Sequence, residues 1–130
     1  MQIRLRNEIY LDDKLEMEVV DQSYPVEARV KKEQLYLIFT NEEKEKTLIK
    51  CDVAELVMTR FSNPKSVMRF VTKKEAIVTL QTPLGIQHFV TDTKHYLFDQ
   101  KQQRIELHYD LKQLDNEGVF ASYQMEITWG

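Results

Sequence analysis

A chain of 130 residues with 21 acidic and 18 basic side chains carries a formal charge of −3, which argues against the broad cationic surface that phosphate backbones require. That length suits a single domain, residues 1–130, able to bury roughly two-thirds of its unfolded surface. One cysteine, Cys51, excludes an internal disulfide framework and fits a reducing cytosol.

The residues after Met1 lack the apolar run of a signal peptide, and no stretch approaches the ~20 apolar residues of a membrane span. A cytoplasmic protein that engages neither nucleic acid nor membrane is expected.

Ile3, Leu5, Ile9 and Leu11 alternate with Gln2, Arg4, Glu8 and Tyr10, the pattern of a strand with one buried face. Asp12-Asp13-Lys14 turns this strand into a second, from Glu16 to about Ser23. Pro25 interrupts there, so a new strand is expected from Val26. Across Lys32-Glu33, pairing of Lys31 with Gln34 sets Val26, Ala28 and Val30 against Phe39, Leu37 and Leu35. From Asn41 to Phe61 the pattern is ambiguous. Ile49, Val53, Leu56 and Phe61 with Asn41 as a cap suit a helix, whereas Leu48-Ile49 and Leu56-Val57-Met58-Thr59 suit two strands.

Lys73-Lys74 can reverse the chain between Val67–Thr72 and Ala76–Thr82. Pairing Thr72 with Glu75 would set Val71 opposite Ala76, Arg69 opposite Val78 and Val67 opposite Leu80. Thr82-Pro83-Leu84-Gly85 suits a type I turn with a glycine bulge, pairing Thr82 with Ile86, Leu80 with His88 and Val78 with Val90. The last third reads as one long hairpin. Ile105, Leu107, Tyr109 and Leu111 alternate on one side of Asp115-Asn116-Glu117-Gly118, and Val119, Ala121, Tyr123, Met125, Ile127 and Trp129 on the other. A left-handed Gly118 closing that turn would pair Asp115 with Val119, Leu111 with Tyr123, Tyr109 with Met125 and Leu107 with Ile127. Short strands at this spacing without βαβ alternation predict an all-β antiparallel sandwich or barrel.

Val57-Met58, Arg69-Phe70-Val71, Thr82-Pro83-Leu84-Gly85, Thr91-Asp92-Thr93 and Ile105-Glu106-Leu107-His108-Tyr109-Asp110-Leu111 follow one another in an order that resembles the YwiB-like family of small bacterial proteins. The resemblance implies strands through Asn41 to Phe61. It also implies a closed or nearly closed antiparallel barrel of about eight to ten strands, similar to the calycins, which include the lipocalins.

No metal-spaced His or Cys pair, phosphate-binding glycine loop or nucleophile elbow is present, so neither cofactor nor metal nor enzymatic chemistry is expected. Cys51 lies between Lys50 and Asp52, whose effects on a thiol roughly cancel, and reads as a small structural cysteine. His108 sits among Glu106, Asp110 and Lys112 and reads as solvated; the direction of His95 is undetermined.

The expected strand pairings place Arg69 and His88 on one apolar face with Val67, Val71, Val78, Leu80 and Val90. A guanidinium there needs a carboxylate, a carbonyl, water or a ligand, so an internal ion pair competes with an anion-binding role. Tyr109, Tyr123 and Trp129 read as core, with the phenol oxygens able to line a wet interior. Arg69, His88, Tyr109 and Tyr123 are therefore the candidate ligand-binding residues. The expected function is binding of a small anionic or amphipathic ligand inside the barrel. The alternative is a filled barrel acting through its surface or as a homodimer, and inward-pointing Phe39, Phe70, Tyr109 and Trp129 would favour it.

Overall fold

Alternation of apolar and polar side chains is realised as ten antiparallel strands among the residues that the computed structural model describes, 1–11, 16–114 and 118–130. They are β1 (Gln2–Leu11), β2 (Glu16–Lys31), β3 (Gln34–Thr40), β4 (Lys46–Cys51), β5 (Glu55–Phe61), β6 (Ser66–Val71), β7 (Glu75–Thr82), β8 (Gly85–Asp99), β9 (Arg104–Gln113) and β10 (Val119–Trp129). Hydrogen bonding orders them β6-β5-β4-β3-β2-β1-β10-β9-β8-β7. The two end strands lie side by side without a backbone ladder, giving a barrel that is closed except for one seam. No helix occurs among the described residues. The segment from Asn41 to Phe61 contains β4 and β5, as the strand reading requires.

Pro25 does not end a strand. β2 runs through it, pairing with β1 as far as Pro25 and with β3 from Val26 onward. The missing N–H falls where the strand changes partner, and the next amide, of Val26, donates to Met1 O at 3.1 Å. The β2–β3 register is the expected one, with Lys31 against Gln34 and Val26 against Phe39.

Three expected pairings are corrected. The ladder across Lys73-Lys74 does not form, because β6 pairs only with β5 and β7 only with β8. A turn with Lys74 N donating to Val71 O at 3.0 Å and Lys73 at φ 56 carries the chain across the seam instead. The β7–β8 hairpin closes one residue tighter than expected, Thr82 pairing with Gly85 at φ 106, so Thr79 and not Leu80 faces His88. In the C-terminal hairpin Leu111 pairs with Ala121, Tyr109 with Tyr123 and Leu107 with Met125, with a bulge between Val119 and Ala121. That register is displaced by an even step, so inner residues stay inner. The expected turns at Asp12-Asp13-Lys14 and Asp115-Asn116-Glu117 lie outside the described residues, and with the second the conformation of Gly118.

The core is continuous from Ile3, Leu35, Leu37, Ile49 and Leu56 on one side to Ile105, Leu107, Ile127 and Trp129 on the other. Phe39, Phe70, Tyr109 and Trp129 are all buried, so bulky side chains fill most of the interior. At the seam Phe70 from β6 reaches Tyr109 of β9, ring centroids 4.5 Å apart. Thr91, fully buried on β8, donates its hydroxyl to the carbonyl of Arg69 at 2.6 Å. Replacing Thr91 by Val keeps the shape and strands that carbonyl, so a loss of about 1–2 kcal/mol is expected in urea unfolding. An unchanged midpoint and slope would show that the seam does not depend on this bond.

Candidate functional site

In an antiparallel sheet the register decides which side chains enter the barrel. Two of the four candidate residues are placed outside by it. β6 presents apolar residues on both parities, and the larger Met68 and Phe70 turn inward, leaving Val67, Arg69 and Val71 outward. Arg69 is more than half exposed and donates through Nη2 and Nε to Glu55 Oε2 at 2.8 and 3.0 Å. The tighter β7–β8 turn likewise puts His88 on the outer face, its Nδ1 3.1 Å from Thr79 Oγ1. The expected interior constellation of Arg69 with His88 is therefore not assembled.

The other two candidates do lie inside. Tyr109 and Tyr123 form a direct cross-strand pair with rings stacked at 4.7 Å and 15°. Burial, and then the neighbouring Tyr123, pushes the Tyr109 phenol up; burial alone raises Tyr123. Neither phenol makes a hydrogen bond with the described residues. Tyr96 is the contrasting case, its hydroxyl donating to Asp52 O at 2.5 Å and lying 3.2 Å from Glu55 O. Tyr109→Phe should hold or raise stability, whereas Tyr96→Phe should cost about 1–2 kcal/mol. Paired denaturant titrations check this, and a clear loss in Tyr109→Phe would refute it.

The interior is least complete at one end. There Leu5, Met58, Met68, Leu80, Tyr123 and Met125 are only partly buried against the core. A cleft opens at this end, with Leu5, Phe39 and Met58 beneath Tyr24, Asn41, Glu42, Glu43, Glu45 and Arg60. β5 delivers its inner parity as Leu56, Met58 and Arg60, so an arginine follows directly on the apolar floor. The β3–β4 loop supplies the carboxylates. Its shape is set by Asn41, whose Oδ1 accepts from the amides of Glu43 and Glu45 at 3.0 and 2.9 Å. Two of these carboxylates are engaged, Glu42 by Tyr24 Oη at 2.6 Å and Gln22 Nε2 at 3.2 Å, and Glu45 by Asn41 Nδ2 at 3.1 Å. Burial and the Glu42 bond push the Tyr24 phenol up to about 12, with the Arg60 charge acting in the opposite direction.

Arg60 is what the sequence reading missed. The signal was available once β5 is taken as a strand, because Arg60 continues the parity of Leu56 and Met58.

A second polar group lies on the outer face. His95 and His108 pair directly across β8 and β9, ring centroids 4.8 Å apart, with Glu106 Oε1 3.0 Å from His95 Nε2. The bulge between Thr93 and His95 turns His95 outward. His95 holds the Glu106 carboxyl below its usual range, helped by Arg104, which contacts Glu106 and reaches Glu126 at 2.9 Å. Among the described residues no three His, Cys, Asp or Glu side chains are placed to hold a metal ion. Burial, then Asp52, drives the Cys51 thiol up to about 12, so it has no nucleophilic character near neutrality.

Burial, then the His95 ring, holds His108 below its ordinary value of 6.5, against the pull of Glu106 and Glu8. The unfolded chain takes up that proton more readily, so His108 makes stability fall as pH drops below its unfolded value. Melting temperatures between about pH 7 and pH 5 should fall less steeply in His108→Gln than in the parent. Parallel curves would rule this out.

The family described as a domain of unknown function (DUF1934) matches residues 3–127. The crystal structure of the ywiB protein from Bacillus subtilis is similar at TM-score 0.72, over 99% of this chain and 92% of that one, with 23% sequence identity. At that identity the likeness speaks for the fold. No curated protein matches the chain.

Proposed function

The chain belongs to the DUF1934 family, whose domain is of unknown function, and on that footing we propose that it is a non-enzymatic binding module. Its ligand is a small amphipathic molecule seated at the open end of the barrel, not along its axis. The observation that carries this is the cleft in which Leu5, Phe39 and Met58 form an apolar floor under a charged rim. Sites for small ligands combine such a floor with a few convergent polar groups. Phe70, Tyr109 and Trp129 are buried, so side chains occupy the interior away from the cleft and the ligand sits at its mouth. Among the described residues Cys51 offers no activated nucleophile, being buried with its thiol pushed up, and His88 lies on the outer face, which supports binding over catalysis.

The test is native mass spectrometry of the freshly purified protein, followed by titration with an amphipathic fluorescent dye. Dye binding is expected in the parent chain and its loss in Met58→Asp, which places a charge on the floor. Equal binding in both proteins would overturn the assignment.

A second reading, the filled barrel acting through its surface or as a homodimer, is favoured by the inward-pointing Phe39, Phe70, Tyr109 and Trp129 and by Ile77, Leu84 and Ile86 on the β7–β8 hairpin, exposed at 65%, 87% and 66%. Sedimentation of the parent against Ile86→Lys separates it, a dimer dissociated by the substitution being its signature.

A further inference from the structure

The arginines of this chain are paired with carboxylates, with one exception. Arg4 holds Asp21, Arg6 holds Glu8, Arg29 holds Glu27, Arg69 holds Glu55, and Arg104 holds Glu106 and Glu126. Arg60 holds none among the described residues, and it is the arginine on the rim of the open-end cleft. Of the three carboxylates facing it there, Glu42 and Glu45 are occupied by Tyr24, Gln22 and Asn41. The Glu43 carboxylate makes no hydrogen bond or ion pair with the described residues. The cleft therefore carries one unengaged positive group and one unengaged negative group over an apolar floor.

A simple anion would gain from Arg60 and be repelled by three glutamates, and a simple cation would meet the reverse at Arg60. A molecule bearing both charges at one end of an apolar group satisfies all three surfaces. Resting on the reading of this cleft as a binding site, we propose that it takes an apolar zwitterion of the α-amino acid type. The carboxylate lies on the Arg60 guanidinium, which suits planar bidentate recognition. The ammonium lies toward Glu43, and the side chain lies on Leu5, Phe39 and Met58. Specificity comes from requiring the two charged groups together.

The methyl resonance of Met58 reports on the floor and can be assigned by comparing the full chain with Met58→Leu. Titration with L-leucine should shift it saturably. Leucinamide, which lacks the negative charge, and N-acetylleucine, which lacks the positive one, should each bind at least ten-fold more weakly. Arg60→Gln and Glu43→Gln should each weaken leucine at least ten-fold while leaving the other methionine methyls in place. If hexanoate or hexylammonium shifts Met58 as effectively as leucine and Glu43→Gln changes nothing, the zwitterion is refuted and the amphipath reading stands. If leucine, hexanoate and hexylammonium all leave Met58 unmoved, the zwitterion is refuted together with the use of this cleft for small amphipaths.

Discussion

The barrel depends on one strand serving two ladders. The first part of β2 is bonded to β1 and its last part to β3, with Pro25 at the change of partner. A strand shared in this way cannot lie in a flat sheet, because its partners leave it at different points along its length and the sheet must coil to follow them. With β1 also bonded to β10, that coiling brings the remote ends of the order, β6 and β7, against each other. The seam between β6 and β7 is where that coiling brings the two ends of the order together without a ladder.

The interior divides accordingly. At one level the side chains of Ile3, Leu37, Ile49, Leu107 and Ile127 have no exposure at all. Toward the end formed by Met58, Met68 and Met125, unbranched thioethers take the place of branched side chains, and packing there is incomplete. Methionine tolerates changes in what it packs against better than Ile or Leu.

What was legible in the sequence followed the certainty of each turn. Lys32-Glu33 between two alternating runs gave the β2–β3 register residue for residue. Most strands could be read because alternation is local, but β4 and β5 could not, since their apolar spacing suits a helix equally and only the family resemblance implied strands there. Register was lost where a turn admits neighbouring solutions: Pro83-Leu84-Gly85 closes one residue tighter than expected, and that single step moved His88 from the lining to the outer face. The Arg69 reading failed for a different reason. It assumed that strands joined by a short turn must pair, and here the turn carries the chain across the seam to the far end of the order. Local pattern holds no information about that. Tyr109 and Tyr123 lie inside as expected because an even register shift preserves parity, and Arg60 shares the inner parity of Met58 in a segment whose strand character the pattern alone leaves open.

The seam also bears on how this chain avoids sticking to itself. β7 reads Glu-Ala-Ile-Val-Thr-Leu-Gln-Thr, without lysine, arginine or proline, which is the composition of an unguarded edge and a ready template for another strand. β6 covers it in the folded protein, and Thr91 and Phe70 hold that cover in place. The two edges thus protect each other without spending backbone hydrogen bonds on the task. Any partly open form in which β6 swings away presents both at once, so a single local opening event exposes two strand templates together.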